Sequence, residues 1–206
     1  MTEDEARNWL RERFDVSRET QLSRFADILT RGASEQNLIA ASTLAELWAR
    51  HLVDSAQLIS LAGDGEGTWL DIGSGAGLPG LVVAVLTDRP VILVEPRGKR
   101  VEFLRSAADE LGIADRVEVI GSKVESYKPE RPAAVVSARA VAELGKLFAG
   151  AQHCTDSSTV WVLPKGRNVQ SEVEAARRAW QGAFHVEPSI TSPDSGIVVA
   201  KRVRPR

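Results

Sequence analysis

The sequence predicts an α/β fold: a mostly parallel seven-stranded sheet with helices on both faces, preceded by a helical extension over residues 1–66. Three observations predict it. From Thr68 onward, short β-branched runs alternate with helical periodicity. A glycine-rich turn follows the first of those runs and opens directly into an apolar helix. The last two β-branched runs have no full helix between them, which makes them a hairpin on one edge of the sheet. At 206 residues, with 43% hydrophobic and 26% charged side chains, the chain is sized for one compact unit that buries about 70% of its unfolded surface.

Each element has a local reason. Thr2 and Glu5 have the spacing of a capping box, and Trp9, Leu10 and Phe14 recur at helical spacing, as do Leu22, Phe25, Ile28 and Leu29. A further helix is expected to begin at Thr43, three residues before Glu46, and to stop at Gly63 and Gly65. Strands are expected at residues 68–72, 91–95, 117–120, 133–137 and 160–164, with helices between them at 81–86, 99–111, 140–149 and 169–180. The hairpin strands are expected at 183–186 and 196–203. With no linker or repeat, the extension (1–66) is expected to pack on the domain formed by 67–206.

The net charge of −2 excludes a uniformly basic coat, but it hides an asymmetry. Residues 1–66 carry 7 basic and 12 acidic side chains, and the remainder carries 19 basic and 16 acidic, so an anionic ligand should meet the second part. The lone Cys154 excludes an intrachain disulfide framework and leaves a cysteine-rich metal site without ligands, so no metal is expected. No apolar run is long enough to cross a bilayer and the first 13 residues are charged, so a cytoplasmic location and no membrane partner are expected.

The strongest local signal is Asp71-Ile72-Gly73-Ser74-Gly75-Ala76-Gly77-Leu78-Pro79-Gly80. Glycines at a strand end turn the chain sharply and bring bare backbone close to a ligand. Two ligands compete for it. Gly75 to Gly80 matches the dinucleotide pattern GxGxxG with Glu95 about 20 residues on, which favours an NAD(P)-dependent oxidoreductase. The spacing of Asp71, Gly73, Gly75 and Gly77 resembles the first motif of S-adenosylmethionine-dependent methyltransferases. Glu95 would accept ribose hydroxyls in either case, while Asp71 leans toward the methyl donor.

Other segments sit at strand ends. His51, late in a helix between Arg50 and Asp54, reads first as a structural hydrogen-bonder, with Arg50 and Asp54 spaced as an ion pair. Arg97 to Arg105 includes Lys99, Arg100 and Arg105, and cations at a helix amino terminus oppose the macrodipole unless an anion joins them. Val124 and Glu125 follow the third strand, and Arg139 the fourth. Lys165 and Arg167 follow the fifth, and four basic residues close the chain.

Taken in order, Arg50-His51-Leu52-Val53-Asp54-Ser55, the glycine-rich turn, Gly98-Lys99-Arg100-Val101-Glu102-Phe103-Leu104-Arg105, Ser137-Ala138-Arg139-Ala140 and Lys165-Gly166 resemble the bacterial 16S ribosomal RNA guanine-N7 methyltransferase family, RsmG or GidB. The resemblance runs closely from Asn37 to Gly166, with one departure, Ile39 where the family often has threonine. It implies a Rossmann-like class I methyltransferase fold, S-adenosylmethionine as cofactor, and methylation of guanine 527 in the 530 loop of 16S rRNA or the small subunit. It implies a cofactor site of Asp71, Gly73, Gly75, Gly77, Leu78, Glu95, Val124, Glu125 and Arg139. Arg50, His51, Lys99, Arg100, Arg105, Lys165 and Arg167 become candidate RNA contacts, and the chain is expected to act as a monomer. A noncatalytic RNA-binding assembly factor on the same fold is the third alternative. Guanine N7 carries an in-plane lone pair and needs no general base, which suits a chain with no persuasive acid–base pair and no catalytic residue beyond those that position the reactants.

Overall fold

The computed structural model describes residues 1–206 except Asn37, with the side chains of Ser34 and Glu35 also outside the description. The expectation at Asn37 therefore lies outside the described residues; its neighbour Leu38 is buried. The extension begins with α1 (Glu3–Arg11), capped by the expected Thr2–Glu5 box, and α2 (Val16–Glu35), whose amino terminus is capped by Asp15. Leu10, Leu22, Phe25 and Leu29 are almost wholly buried. They bury the apolar stripe that the sequence spacing predicts.

The next segment departs from expectation. The single helix expected from Thr43 is instead a 3-10 turn (Ala41–Glu46), a π-helical turn (Trp48–Val53) and then α3 (Asp54–Ala62). Thr43 does not cap. Its hydroxyl donates to Ala40 O (2.8 Å) and lies 2.8 Å from His51 Nε2, which ties the 3-10 turn to the π turn. Glu3 supplies a cap from 45 residues away: its carboxylate accepts the amides of Trp48 (3.0 Å) and Ala49 (2.9 Å).

The sheet comprises β1 (Trp69–Ile72), β2 (Val91–Val94), β3 (Val117–Ile120), β4 (Val135–Ala138), β5 (Val160–Lys165), β6 (Trp180–Pro188) and β7 (Gly196–Pro205). Its order is β3-β2-β1-β4-β5-β7-β6. The first five strands are mutually parallel, and β7 enters antiparallel between β5 and β6. The expected edge hairpin is present, with longer strands and a register shift between Gln181 and Ala183. The strand order reverses between β1 and β4, the place where open α/β sheets bind ligands.

Alternation along each strand divides two cores. Trp69, Leu93, Val135 and Val162 face the extension together with α4 (Gly80–Leu86) and α5 (Gly98–Glu110). Leu70, Val94, Val136 and Trp161 face α6 (Leu144–Ala151) and α7 (Val169–Ala176). The extension is held to the first core by Arg18, which donates to Val85 O (2.7 Å) and pairs with Asp88 (2.6 Å).

Two helix boundaries correct the sequence reading. Helix α6 was expected from Ala140 and starts at Leu144, because Ala140 has φ +55°, outside any helix. Helix α7 was expected to run through Trp180 and ends at Ala176. Trp180 opens β6 opposite Pro205 and packs 5.6 Å from the Phe148 ring, which also meets Trp161 edge-on at 5.0 Å.

Candidate active site

The chain turns at the end of β1 on a buried polar network. Asp71 and Ser137 are partners across β1 and β4, and both are fully buried. Trp69 Nε1 donates to Ser137 Oγ (2.8 Å), Ser137 Oγ donates to Asp71 Oδ1 (2.7 Å), and the Gly80 amide donates to Asp71 Oδ2 (3.3 Å). Burial pushes the Asp71 carboxyl up to about 6, against the opposing pull of the Ser137, Ser74 and Gly80 hydrogen bonds. Asp71 thus fastens strand, turn and helix from beneath.

Above it, Gly73, Gly75 and Gly77 all have positive φ. At Gly75 (φ +56°) the amide donates to Glu95 Oε2 (3.0 Å), so the turn is locked to the end of β2. Glu95 Oε1 accepts the Arg97 amide (2.9 Å) and only 3% of the residue is exposed. A carboxylate has further lone pairs, and those of Glu95 border a cleft.

That cleft, of about 360 Å³, lies at the switch point between β1 and β4. Gly73, Glu95, Arg100, Val124 and Glu125 line it, with Val141 on the far side. Of the expected cofactor residues it therefore gathers Gly73, Glu95, Val124 and Glu125. Asp71, Gly75, Gly77 and Leu78 are buried behind it, and Leu78 belongs to the core. Arg139 lies elsewhere.

A second cleft, of about 470 Å³, opens at the ends of β4 and β5 and shares Ala140 and Val141 with the first. Arg139 lines it and draws three segments together. It pairs with Asp54 Oδ2 (3.4 Å), donates to Arg50 O (3.3 Å), and its NH2 lies 3.2 Å from His51 Nδ1. The expected Arg50–Asp54 pair is absent, since Arg50 pairs with Glu46 and Asp54 with Arg139. Asp54 Oδ1 also accepts Thr191 (2.9 Å) and Gln57 (2.9 Å).

His51 is fixed by its neighbours. The Thr43 proton goes to Ala40, so Nε2 donates to Thr43 Oγ1, and Nδ1 accepts from Arg139. This is the neutral tautomer. Burial first, then the charges of Arg139 and Arg50, push its pKa down to about 4.

The expected RNA contacts are dispersed. Lys99 is exposed and Arg100 half-buried at the first cleft. Arg105 donates to Val119 O (3.2 Å). Lys165 is held inside the second cleft by Glu172 (2.8 Å) and Ala142 O (2.6 Å), which leaves its ammonium little to offer a phosphate. Arg167 is exposed and pairs with Asp194 (3.4 Å). Because β7 runs antiparallel to β5, Lys201 lies beside Val160, at the end of the sheet opposite both clefts. Residues absent from the sequence reading are Val141, Glu143 and Lys123, which line the clefts. The stretch after β4 gave only the signal of apolar letters in a misassigned helix.

The family model for rRNA small subunit methyltransferase G matches residues 18–195. The chain belongs to the rRNA small subunit methyltransferase G family. Among methyltransferase G relatives, that of Rhizorhabdus wittichii is 47% identical over 208 residues, covering 100% of this chain and 95% of its own. That of Sphingopyxis alaskensis is 48% identical, covering 98% of this chain and 87% of its own. Solved structures of other methyltransferases share the fold. A glycopeptide N-methyltransferase, MtfA, solved with sinefungin, has TM-score 0.63 at 11% identity, over 73% of this chain and 93% of that one. The ribosomal protein L11 methylase of Lactobacillus delbrueckii has TM-score 0.59 at 14% identity, over 72% of this chain and 76% of that one. The fold is therefore that of S-adenosylmethionine-dependent methyltransferases, and the dinucleotide reading of Gly75–Gly80 gives way.

Proposed function

We propose that the chain transfers the methyl group of S-adenosylmethionine to N7 of a guanine in 16S ribosomal RNA. The observation that carries this reading is membership of the methyltransferase G family across residues 18–195, combined with a switch-point cleft bordered by a buried carboxylate. The residues present suit the donor. Glu95 offers acceptor lone pairs for hydroxyl groups, Gly73 exposes backbone at the cleft wall, and Val124 with Glu125 offers an apolar surface and an acceptor to a heteroaromatic ring. When bound, the donor supplies an electrophilic methyl carbon.

The protein's part is positioning. Asp71 holds the turn rather than the ligand, and Gly75 lets its amide reach Glu95. Guanine N7 has its lone pair available at neutral pH, so no side chain needs to take a proton. Arg139, fixed by Asp54 and His51, lends positive charge to the acceptor cleft without being spent as an acid. Lys99, Arg50 and Arg167, all exposed, are the basic residues best placed to meet phosphates, with Arg100 at the cleft edge.

Mass mapping of modified nucleotides in 16S rRNA from cells with and without the protein tests this reading. One N7-methylguanosine should disappear with the protein. The purified chain should bind S-adenosylmethionine and not NAD by calorimetry, and Gly75→Val, a β-branched residue forced to φ +56°, should abolish that binding. An unchanged modification map would refute it.

A further inference from the structure

The second cleft is walled by Val141, Pro164 and Ile197, with a ring of polar groups. Three acidic residues line it: Asp54, Glu143 and Glu172. Two are engaged. Asp54 accepts Arg139, Thr191 and Gln57, and Glu172 accepts Lys165 and the Leu144 amide (3.3 Å). Glu143 is different: among the described residues its carboxylate has no hydrogen bond or ion pair. It occupies the N-cap position of α6, where an acid usually folds back on the helix amides, yet its side chain makes no capping bond. An exposed carboxylate with all its lone pairs available thus stands at the rim of an acceptor cleft that shares Ala140 and Val141 with the donor cleft.

We infer that Glu143 is the specificity-determining residue for the substrate base, its two oxygens accepting the N1–H and N2 amine of guanine. This rests on the reading of the second cleft as the acceptor site of a guanine N7 methyltransferase. The chemistry is selective. Guanine presents two parallel donors on that edge, which a carboxylate matches in a two-pronged pair. Adenine presents N1 as an acceptor and carries no 2-amine, so it cannot match the two oxygens and is rejected. N7 lies on the opposite edge of the purine, so a base held at Glu143 is free to turn N7 toward the Ala140–Val141 wall and the donor beyond it. The apolar side chains of Val141, Pro164 and Ile197 give the ring faces their contact.

The test compares two RNA substrates, one with guanine and one with inosine at the methylated position; inosine lacks the N2 amine and keeps N7. The wild-type chain should prefer guanine by about 10-fold or more in kcat/KM, the worth of one hydrogen bond to a charged group. Glu143→Ala should lose at least that factor on guanine and show a guanine-to-inosine ratio near one, with S-adenosylmethionine affinity by calorimetry unchanged. Glu143→Gln, of equal size, serves as the second variant should alanine unsettle α6, and should also lower the ratio. An undiminished ratio in both variants, or wild-type rates on guanine, would overturn the inference. If the wild-type chain methylates neither RNA, the guanine N7 reading itself fails.

Discussion

Asp71, fully buried, and His51, half-buried, are titratable groups whose pKa values move in opposite directions, Asp71 up to about 6 and His51 down to about 4. Their effects on stability have opposite signs. For Asp71 the native state binds its proton more tightly than the unfolded chain, so its contribution is present below the ordinary value of 3.8 and lost as pH rises through about 6. For His51 the native state binds its proton less tightly, so its contribution is present above 6.5 and lost as pH falls through about 4. Within that window the two slopes partly cancel in the native protein. His51→Gln removes one of them: its stability relative to the native protein should rise as pH is lowered from 6.5 to 4, read from denaturant midpoints across that range. A difference that stays flat would mean that His51 is not held neutral. The spacing of Arg50, His51 and Asp54 was legible in the sequence, but not their pairing. Both Glu46 and Asp54 stand four residues from Arg50, and the choice falls to Arg139, which arrives from 85 residues away to take Asp54.

At the scale of elements, the β-branched runs located all seven strands, because half or full burial of a strand leaves that signature in any context. Helix ends were less legible. Val169, Val173, Ala176 and Trp180 recur at helical spacing and all are buried, so periodicity alone carries α7 four residues too far. What stops the helix is tertiary: Trp180 is drawn to Phe148, and the chain pairs with Pro205. Likewise Thr43 and Glu46 have the letters of a capping box, but the cap at this junction comes from Glu3 in another helix. Glu3→Ala leaves the Trp48 and Ala49 amides without their charged acceptor, a loss of about 1–2 kcal/mol. The melting temperature should fall by roughly 2–8 °C in a chain of this size, measured by scanning calorimetry at neutral pH. No change would show that the π turn holds without α1.

For the molecule as a whole, the charge asymmetry along the sequence does not translate directly into a basic surface at the clefts. Lys165 is consumed by internal pairing, and the basic tail runs to the opposite end of the sheet. Antiparallel insertion of β7 is the cause, and the sequence shows a hairpin without showing which way it enters. Replacing Lys201, Arg204 and Arg206 by serine should therefore leave S-adenosylmethionine affinity within error, measured by calorimetry. A loss of donor binding would contradict the placement of the tail.

The Ala140–Val141 segment forms a wall common to the two clefts. Ala140 is held at φ +55°, a conformation that costs an alanine about 1 kcal/mol, and Val141 is 44% exposed with its Cγ2 only 2.7 Å from where a Cβ on Gly73 would stand. A ligand in either cleft meets the same two residues, and by thermodynamic reciprocity whatever factor RNA imposes on donor affinity equals the factor that the donor imposes on RNA affinity.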